Sequence, residues 1–191
     1  MRILRAVEPL PPWEAYRPYL KVIAVARLPA AVRRYIDDSD IVQQTLLEAH
    51  RGRGAFRGES PAAQKAWLRK ILARNLADAV RALRRERRDV RQERPLLEEL
   101  DRTSARLEHW LPNAGARPEE RLEQSERSTL LAEAIDGLPA DQRLAVILRH
   151  LNGLDLPAIA QQMGRSPQAV AGLLHRGLSR LRVVLEAGGT S

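Results

Sequence analysis

The sequence predicts an all-α protein with two small helical domains joined by a linker, and three observations support this. Apolar residues recur at helical spacing along most of the chain, whereas alternating β-branched stretches are almost absent. Ala, Leu and Arg dominate, and aromatic residues make up only 4% of the 191 residues. Ser, Asp, Pro and Gly stand where helices are expected to begin and end. We therefore expect domains over residues 1–95 and 127–191, with a linker over 96–126.

Charge is distributed unevenly along the chain, and this supports the same division. The chain carries 32 Lys and Arg against 24 Asp and Glu, a net charge of +8 that favours a polyanionic partner. Residues 65–94 have a net charge of +7, whereas residues 96–126 have a net charge of −4. An acidic, proline-containing segment between two basic ones is typical of a linker.

Several classes of protein are disfavoured by what the sequence lacks. There is no Cys, no apolar run near the roughly 18 residues of a membrane span, and no signal-peptide pattern at the N-terminus. The histidines are not at metal-ligand spacing, and no phosphate loop, dinucleotide fingerprint or GxSxG motif occurs. We expect a cytoplasmic protein without membrane insertion, catalytic residues, metal or cofactor.

The first domain should begin after a loose tail with a helix from about Trp13 to Arg27, followed by a short helix around Tyr35. A further helix should begin at Ser39, with Val42, Leu46 and Ala49 in the core. Its opposite side carries Asp40, Gln43 and Gln44, with Leu47 in the middle of this polar face. Such a leucine indicates either a docking patch or one scattered apolar surface residue.

A glycine-punctuated basic loop over residues 51–61, the glycine loop, leads into a long helix. Ser60 and Pro61 open this helix, which should run to about Arg91. Beside its apolar side runs a stripe of Trp67, Lys70, Arg74, Arg81, Arg85 and Arg88. This stripe either stacks on bases and holds phosphates or is a solvated face with an incidental Trp. Asn75 lies on the apolar side, where a core amide and a base contact remain alternatives.

The second domain should contain a helix starting at Ser128 or Thr129, another over residues 140–151, and a closely joined helix pair over 155–182. In this pair Asp155 caps the first helix, Gly164 stops it, and Ser166 caps the second. The apolar wedge between them consists of Ile159, Met163, Val170 and Leu173, and the small Ala160 lets the two helices cross closely. This arrangement is typical of a DNA-binding helix-turn-helix.

The last helix is expected to have one apolar and one polar side. The apolar side carries Val170, Leu174, Gly177, Leu181 and Val184, and the other carries Gln168, Ala171, Gly172, His175, Arg176, Ser179 and Arg182. Residues 165–182 contain no acid, as a phosphate-facing helix requires. The alternative is an ordinary helical hairpin with a solvated basic face.

Three segments together resemble the bacterial RNA polymerase sigma factors of the extracytoplasmic-function (ECF) class. SDIVQQTLLEAHRG (39–52) is similar to the family's segment that docks on the polymerase clamp helices. FRGES (56–60) with AWLRKILARNLADAVRALRRERRD (66–89) is similar to the segment that melts and reads the minus-ten element. Residues 138–182 are similar to the domain that reads the minus-thirty-five element. The resemblance implies core RNA polymerase and promoter DNA as partners, and the charge pattern leaves room for an anti-sigma regulator between the two domains.

The resemblance also assigns candidate site residues. Polymerase docking falls on Asp40, Gln43, Gln44 and Leu47. Minus-ten recognition falls on Phe56, Arg57, Gly58, Glu59, Ser60, Trp67, Lys70, Arg74, Asn75 and Arg81. Minus-thirty-five recognition falls on Arg165, Ser166, Gln168, Ala171, Gly172, His175, Arg176 and Ser179.

Two departures from the family pattern are visible. Gln44 stands where the family often has Glu, and Ala171–Gly172 stand where cations of a V-K-S-R-L pattern are common. We expect weaker phosphate contacts at the minus-thirty-five element. The alternative functions are a helix-turn-helix regulator that acts without polymerase and a nucleic-acid enzyme, which the missing ligand clusters disfavour.

Overall fold

The computed structural model describes residues 10–28, 33, 35–84, 93–110 and 118–188, without the side chains of 83–84, 93–94, 118–123 and 188. These residues form helices and connecting turns, and no strand occurs among them, which confirms the all-α prediction. The helices are α1 (Arg17–Arg27), α2 (Asp38–Arg51), α3 (Pro61–Arg84), α4 (Glu93–His109), α5 (Pro118–Asp136), α6 (Ala140–Val146), α7 (Leu156–Met163) and α8 (Pro167–Gly188). Short 3₁₀ turns precede α1 (Trp13–Tyr16) and follow α2 (Arg53–Ala55), and a π-helical turn (Ile147–Leu151) continues α6.

Local chemistry explains where α2 and α3 begin. The N–H of Ser39 donates to Asp37 Oδ1 at 2.8 Å, so Asp37 caps α2 and the helix begins just before the expected Ser39. The N–H of Ala63 donates to Ser60 Oγ at 3.2 Å, which confirms the expected start of α3. The expected end of this helix near Arg91, and residues 1–9 of the tail expected over 1–10, lie outside the described residues.

Helix α1 lies at the centre of the molecule and packs against α2, α3, α4 and α5. Tyr19, Leu20, Val22, Ile23 and Ala24 are all fully buried. These residues cover most of the helix circumference, so α1 needs neighbours on several sides, and a narrow stripe with Arg17 and Lys21 is polar.

The acidic segment predicted as a linker contributes two packed helices. In α4, Leu100 and Leu107 are fully buried, and the hydroxyl of Tyr19 donates to Ser104 Oγ at 2.9 Å. The expected helix start at Ser128 or Thr129 is wrong, because α5 already begins at Pro118. Ser128 lies inside α5, where its hydroxyl donates back to the carbonyl of Ser125 instead of capping.

The two expected domains contact each other along a seam. Lys65 Nζ from α3 donates to Ser128 Oγ of α5 at 2.7 Å and to the Ser125 carbonyl. Asn152 Nδ2, after the π-helical turn, donates to the Ala26 carbonyl of α1 at 2.9 Å. The division into domains 1–95 and 127–191 with a linker over 96–126 stays a prediction.

Candidate docking and nucleic-acid interfaces

Helix α2 presents its polar side to solvent. Ile41, Val42, Leu46 and Ala49 are buried, whereas Asp40, Gln43, Gln44 and Leu47 are exposed. Leu47 keeps 41% of its surface accessible although it lies one residue from the fully packed Leu46. We call these four exposed residues the α2 face.

Two hydrogen bonds fix amides of the α2 face. Arg17 Nη2 from α1 donates to Gln43 Oε1 at 2.7 Å. Gln44 Nε2 donates to Glu48 Oε1 at 2.9 Å, one helical turn further along. The helix thus offers an apolar side chain between oriented polar groups, which suits a protein partner better than solvent alone.

The glycine loop is held by an aromatic cluster of Trp13, Phe56 and Trp67. Ring centroids are 5.1 Å apart for Trp13 and Trp67, 5.3 Å for Trp13 and Phe56, and 5.4 Å for Phe56 and Trp67. Trp67 is therefore half-buried within the cluster, while Arg57, Glu59 and Ser60 are exposed. Sequence reasoning missed Trp13, because its distance along the chain from the loop gave no signal of contact.

The stripe on α3 divides into exposed and packed members. Lys70 and Arg74 are exposed, and Arg74 pairs with Glu48 of α2. The side chain of Arg81 is only 16% exposed and pairs with Asp78 at 2.5 Å. Arg85 and Arg88 lie outside the described residues.

Asn75 has a partner within the protein. Its Nδ2 donates at 3.1 Å to the hydroxyl of Thr45, which is fully buried and itself donates to the Ile41 carbonyl. Of the two alternatives for Asn75, this geometry favours the satisfied core amide.

The two helices of the helix-turn-helix have the predicted caps. Asp155 Oδ1 accepts from the N–H of Ala158 at 2.9 Å, and Ser166 Oγ accepts from the N–H of Ala169 at 3.2 Å. Gly164 has φ 62°, the left-handed conformation that ends α7. Ile159 and Val170 are fully buried between the helices, as expected.

The outward side of α8 and its preceding turn form a continuous surface. Arg165, Ser166, Gln168, Ala171, His175, Arg176 and Ser179 are exposed, and Gly172 is half-buried among them. A Cβ on Gly172 would lie 3.3 Å from Arg176 Nη1, so the guanidinium covers the glycine. Arg165 pairs with Asp141 of α6. We call the seven exposed residues with Gly172 the α8 face.

The far end of α8 differs from the expectation. Val184 was expected on the buried side but is 53% exposed, because the described core ends near Leu181. With Leu130 of α5 and Val183 it lines an open apolar groove of about 1080 Å³. The run Val183–Val184–Leu185 indicates in the sequence that an apolar residue must be exposed here, since three consecutive residues cannot all face one side of a helix.

Neither a metal site nor a membrane span is found in the described part of the chain. No three His, Cys, Asp or Glu side chains there are grouped to hold a metal ion. None of the described helices has the length and apolar character needed to cross a bilayer.

Comparison with known proteins matches both halves of the chain. Residues 13–86 match the family model of Sigma-70 region 2, and residues 128–181 match that of Sigma-70, region 4. The first match contains the α2 face, the aromatic cluster and the α3 stripe as far as Arg85. The second contains the helix-turn-helix and the α8 face.

Whole-chain relatives agree with these regional matches. The chain is 30% identical over 182 residues to the ECF RNA polymerase sigma factor SigD of Mycobacterium tuberculosis, covering 92% of this chain and 76% of that protein. It is 31% identical over 158 residues to the RNA polymerase sigma-E factor of Streptomyces antibioticus, covering 83% and 76%. It is 28% identical over 149 residues to the ECF sigma factor SigM of Mycobacterium tuberculosis, covering 78% and 64%. An all-α chain that carries both sigma regions in this order belongs to the ECF family of RNA polymerase sigma factors.

Proposed function

We propose that this chain is a non-catalytic specificity subunit that binds core RNA polymerase and directs it to promoters. The observation that supports this most strongly is that one chain carries both the exposed α2 face and a helix-turn-helix with a cationic outward side. A regulator that binds duplex DNA without polymerase needs only the helix-turn-helix. Since polymerase and chromosome share the bacterial cytoplasm, this function also places the chain there.

Polymerase docking is assigned to the α2 face, formed by Asp40, Gln43, Gln44 and Leu47. The exposed leucine would lose its contact with water on binding, which favours association. The surrounding carboxylate and amides would fix the orientation of the bound polymerase, as polar groups around an apolar centre do in protein interfaces.

Minus-ten recognition is assigned to the glycine loop and the outward side of α3. Arg57 and Glu59 are exposed in the loop, and Lys70 and Arg74 are exposed beside it. Cations next to aromatic rings suit single-stranded DNA, whose phosphates need charge and whose bases stack. The packed positions of Arg81 and Asn75 make direct DNA contacts less favourable for these two residues than for Lys70.

Minus-thirty-five recognition is assigned to the α8 face. Gln168 and Ala171 lie near the N-terminus of α8, the part of a recognition helix that reaches base edges. Arg176 and Arg165 supply charge for phosphates, which position the protein without reading sequence. Because Ala171 and Gly172 lack charge, sequence reading should fall mainly to Gln168 and His175.

An anti-sigma regulator is the further partner that we propose. The seam is filled by the chain's own contacts, including those of Lys65 and Asn152. A regulator placed between the two halves would have to replace these contacts, whereas one on the α2 face would compete directly with polymerase. Co-purification from the native bacterium, with and without a Leu47→Asp substitution, distinguishes these arrangements.

The first experiment is capture of core RNA polymerase by the wild type and by a Gln43→Ala, Leu47→Asp double variant. We expect capture by the wild type and a loss of at least tenfold in the variant, because a carboxylate replaces the apolar contact. Ala62→Asp is the matched control, since it adds a carboxylate at another exposed position of the same half. Circular dichroism establishes that all three chains are folded. A folded wild type that binds duplex DNA but captures neither a generic nor its cognate core polymerase would show a regulator instead.

A further inference from the structure

Phe56 is the aromatic side chain by which the glycine loop packs against the rest of the molecule. After the turn Arg53–Ala55, residues 56–59 have no regular secondary structure, and Arg57 and Glu59 project into solvent. Phe56 turns inward and packs against the indole rings of Trp13 and Trp67, which also contact each other. The position of Phe56 therefore sets where the exposed residues on either side of it stand.

Close packing extends from Phe56 to Gly58. A Cβ on Gly58 would lie within 3 Å of the Phe56 ring and 2.6 Å from Ala63 Cβ. The loop thus folds back so tightly over the start of α3 that only glycine fits under the ring. A shift of Phe56 would move Gly58, and with it Arg57 and Glu59.

Trp13 is itself held in place from two sides. Gln64 Nε2 donates to the Pro11 carbonyl at 3.0 Å, and the Tyr16 hydroxyl donates to Gln64 Oε1 at 2.8 Å. Gln64 is only 3% exposed and Tyr16 only 2%, so the bond between these two side chains is shielded from water. The segment that carries Trp13 is thereby fixed to the first turns of α3, directly beside the loop.

We propose that Trp13 is a positioning residue for minus-ten recognition. Its indole ring packs edge-to-face against the Phe56 ring, at an interplanar angle of 85°. Trp67 packs against Phe56 as well but belongs to α3, whereas Trp13 joins the loop to the N-terminal segment. Trp13 acts through Phe56 and not by contact with DNA, and this role rests on the proposed function above.

The test compares holoenzymes reconstituted with core polymerase and wild type, Trp13→Ala, Trp13→Leu or Trp13→Phe chains. The probe is a fluorescent single-stranded oligonucleotide carrying a minus-ten element selected from random sequence by the wild-type holoenzyme. Each holoenzyme is titrated with this probe and with a probe bearing one changed base. The readout is the ratio of the two affinities, because partial unfolding lowers the active fraction equally for both probes and leaves the ratio unchanged.

We expect Trp13→Ala and Trp13→Leu to lower this ratio by about tenfold, because both lose the aromatic contacts with Phe56 and Trp67. Trp13→Phe keeps aromatic contacts and should retain most of the wild-type ratio. Trp110→Leu is the matched control, because Trp110 stacks on His150 at 4.4 Å, away from the loop. If Trp13→Ala does not fold, Trp13→Leu retains apolar bulk and answers the same question. An unchanged ratio in the folded Trp13→Leu holoenzyme would overturn the role of Trp13. A wild type that fails to bind core or shows no base discrimination would instead overturn the proposed function.

Discussion

Lys65 is a buried cation with neutral hydrogen-bond partners. It is 1% exposed, donates to the Ser125 carbonyl and Ser128 Oγ, and lies 5.1 Å from the centre of the Tyr19 ring. Burial lowers the pKa of Lys65 to about 8, with Glu108 opposing the shift. The seam therefore holds a charge whose desolvation costs stability at neutral pH.

Stability should consequently rise with pH above neutrality. The folded chain releases the Lys65 proton near a pKa of 8, whereas the unfolded chain keeps it to the ordinary value of 10.5. Between these values the unfolded state binds more protons, so the free energy of unfolding should rise by about 2 kcal/mol from pH 7 to 9.5. Urea unfolding of the wild type and of Lys65→Met at both pH values measures this, and Lys65→Met should lack the gain.

Lys70→Met is the control for this measurement, because Lys70 is exposed on the same helix. It should keep the full pH dependence of the wild type. Equal gains in the wild type and in Lys65→Met would show that Lys65 does not control the pH response.

The backbone conformation of Gly164 should have a measurable effect on stability. Its φ of 62° is unfavourable for any side chain, although an added Cβ would meet no atom within 4 Å. Gly164→Ala should therefore destabilise by about 1 kcal/mol through backbone conformation alone, and Gly164→Asn by less. Gly54 also has open space but no positive φ, so Gly54→Ala should leave the thermal midpoint nearly unchanged. A Gly164→Ala midpoint equal to that of the wild type would contradict this explanation.

At the scale of the element, α8 carries two different surfaces along its length. Its first half presents Gln168 and Arg176 to solvent, whereas its second half lines the apolar groove with Val183 and Val184. The second half also carries the exposed Arg180 and Arg182, so apolar residues occupy only the side of it that lines the groove. A change in one half should leave the function of the other half intact.

Arg176→Ala should weaken binding to duplex promoter DNA by a similar factor for every sequence. Removing one phosphate contact should also lower the slope of log affinity against log salt by about one. Fluorescence anisotropy at several salt concentrations measures both quantities. Arg180→Ala is the comparison variant, since Arg180 is an exposed cation one helical turn further along α8, where it lines the groove. A salt slope that falls in Arg180→Ala but not in Arg176→Ala would contradict a phosphate contact at Arg176.

At the scale of the whole molecule, the two family regions share one core. Helix α1 is buried against α4 and α5 as well as against α2 and α3, and Lys21 pairs with Asp136 at 3.3 Å. Buried apolar side chains from Tyr16 to Leu181 form one connected cluster. Apolar residues of both halves contribute to this cluster.

Unfolding of the free chain should therefore be one cooperative transition. A Trp110→Phe variant reports the environment of Trp13 and Trp67, and a Trp13→Phe, Trp67→Phe variant reports that of Trp110 beside His150. Each variant's fluorescence transition should coincide with its own far-UV circular dichroism transition in urea. Non-coincident transitions within either variant, as expected for two domains on a loose linker, would contradict a shared core.

Much of the fold followed from local patterns. The caps at Ser60, Asp155 and Ser166 and the stop at Gly164 were predicted correctly, because each depends on residues within one helical turn. The start of α5 was not, since Ser128 has the side chain of a cap but lies inside a helix that is stabilised by Lys65 and by packing on α1. Propensity gives no information about such distant partners.

The candidate surfaces divide in the same way. Exposure of Leu47 and of the α8 face agrees with helical periodicity, which is a property of the sequence alone. The half-buried state of Trp67 and the bond from Asn75 to Thr45 depend on which helices lie opposite them. Their assignment to polymerase or DNA stays a prediction that the experiments above address.

By itself, the sequence determined the helical class, the helix-turn-helix and the family, because these depend on periodicity, caps and motifs that act over short distances. Only the tertiary structure decided that the acidic segment contributes packed helices, that Lys65 is buried at a seam, and that Trp13 stands against the glycine loop. These contacts join residues far apart in the chain. They form because apolar faces on separate helices must find partners, and several arrangements satisfy the same local pattern.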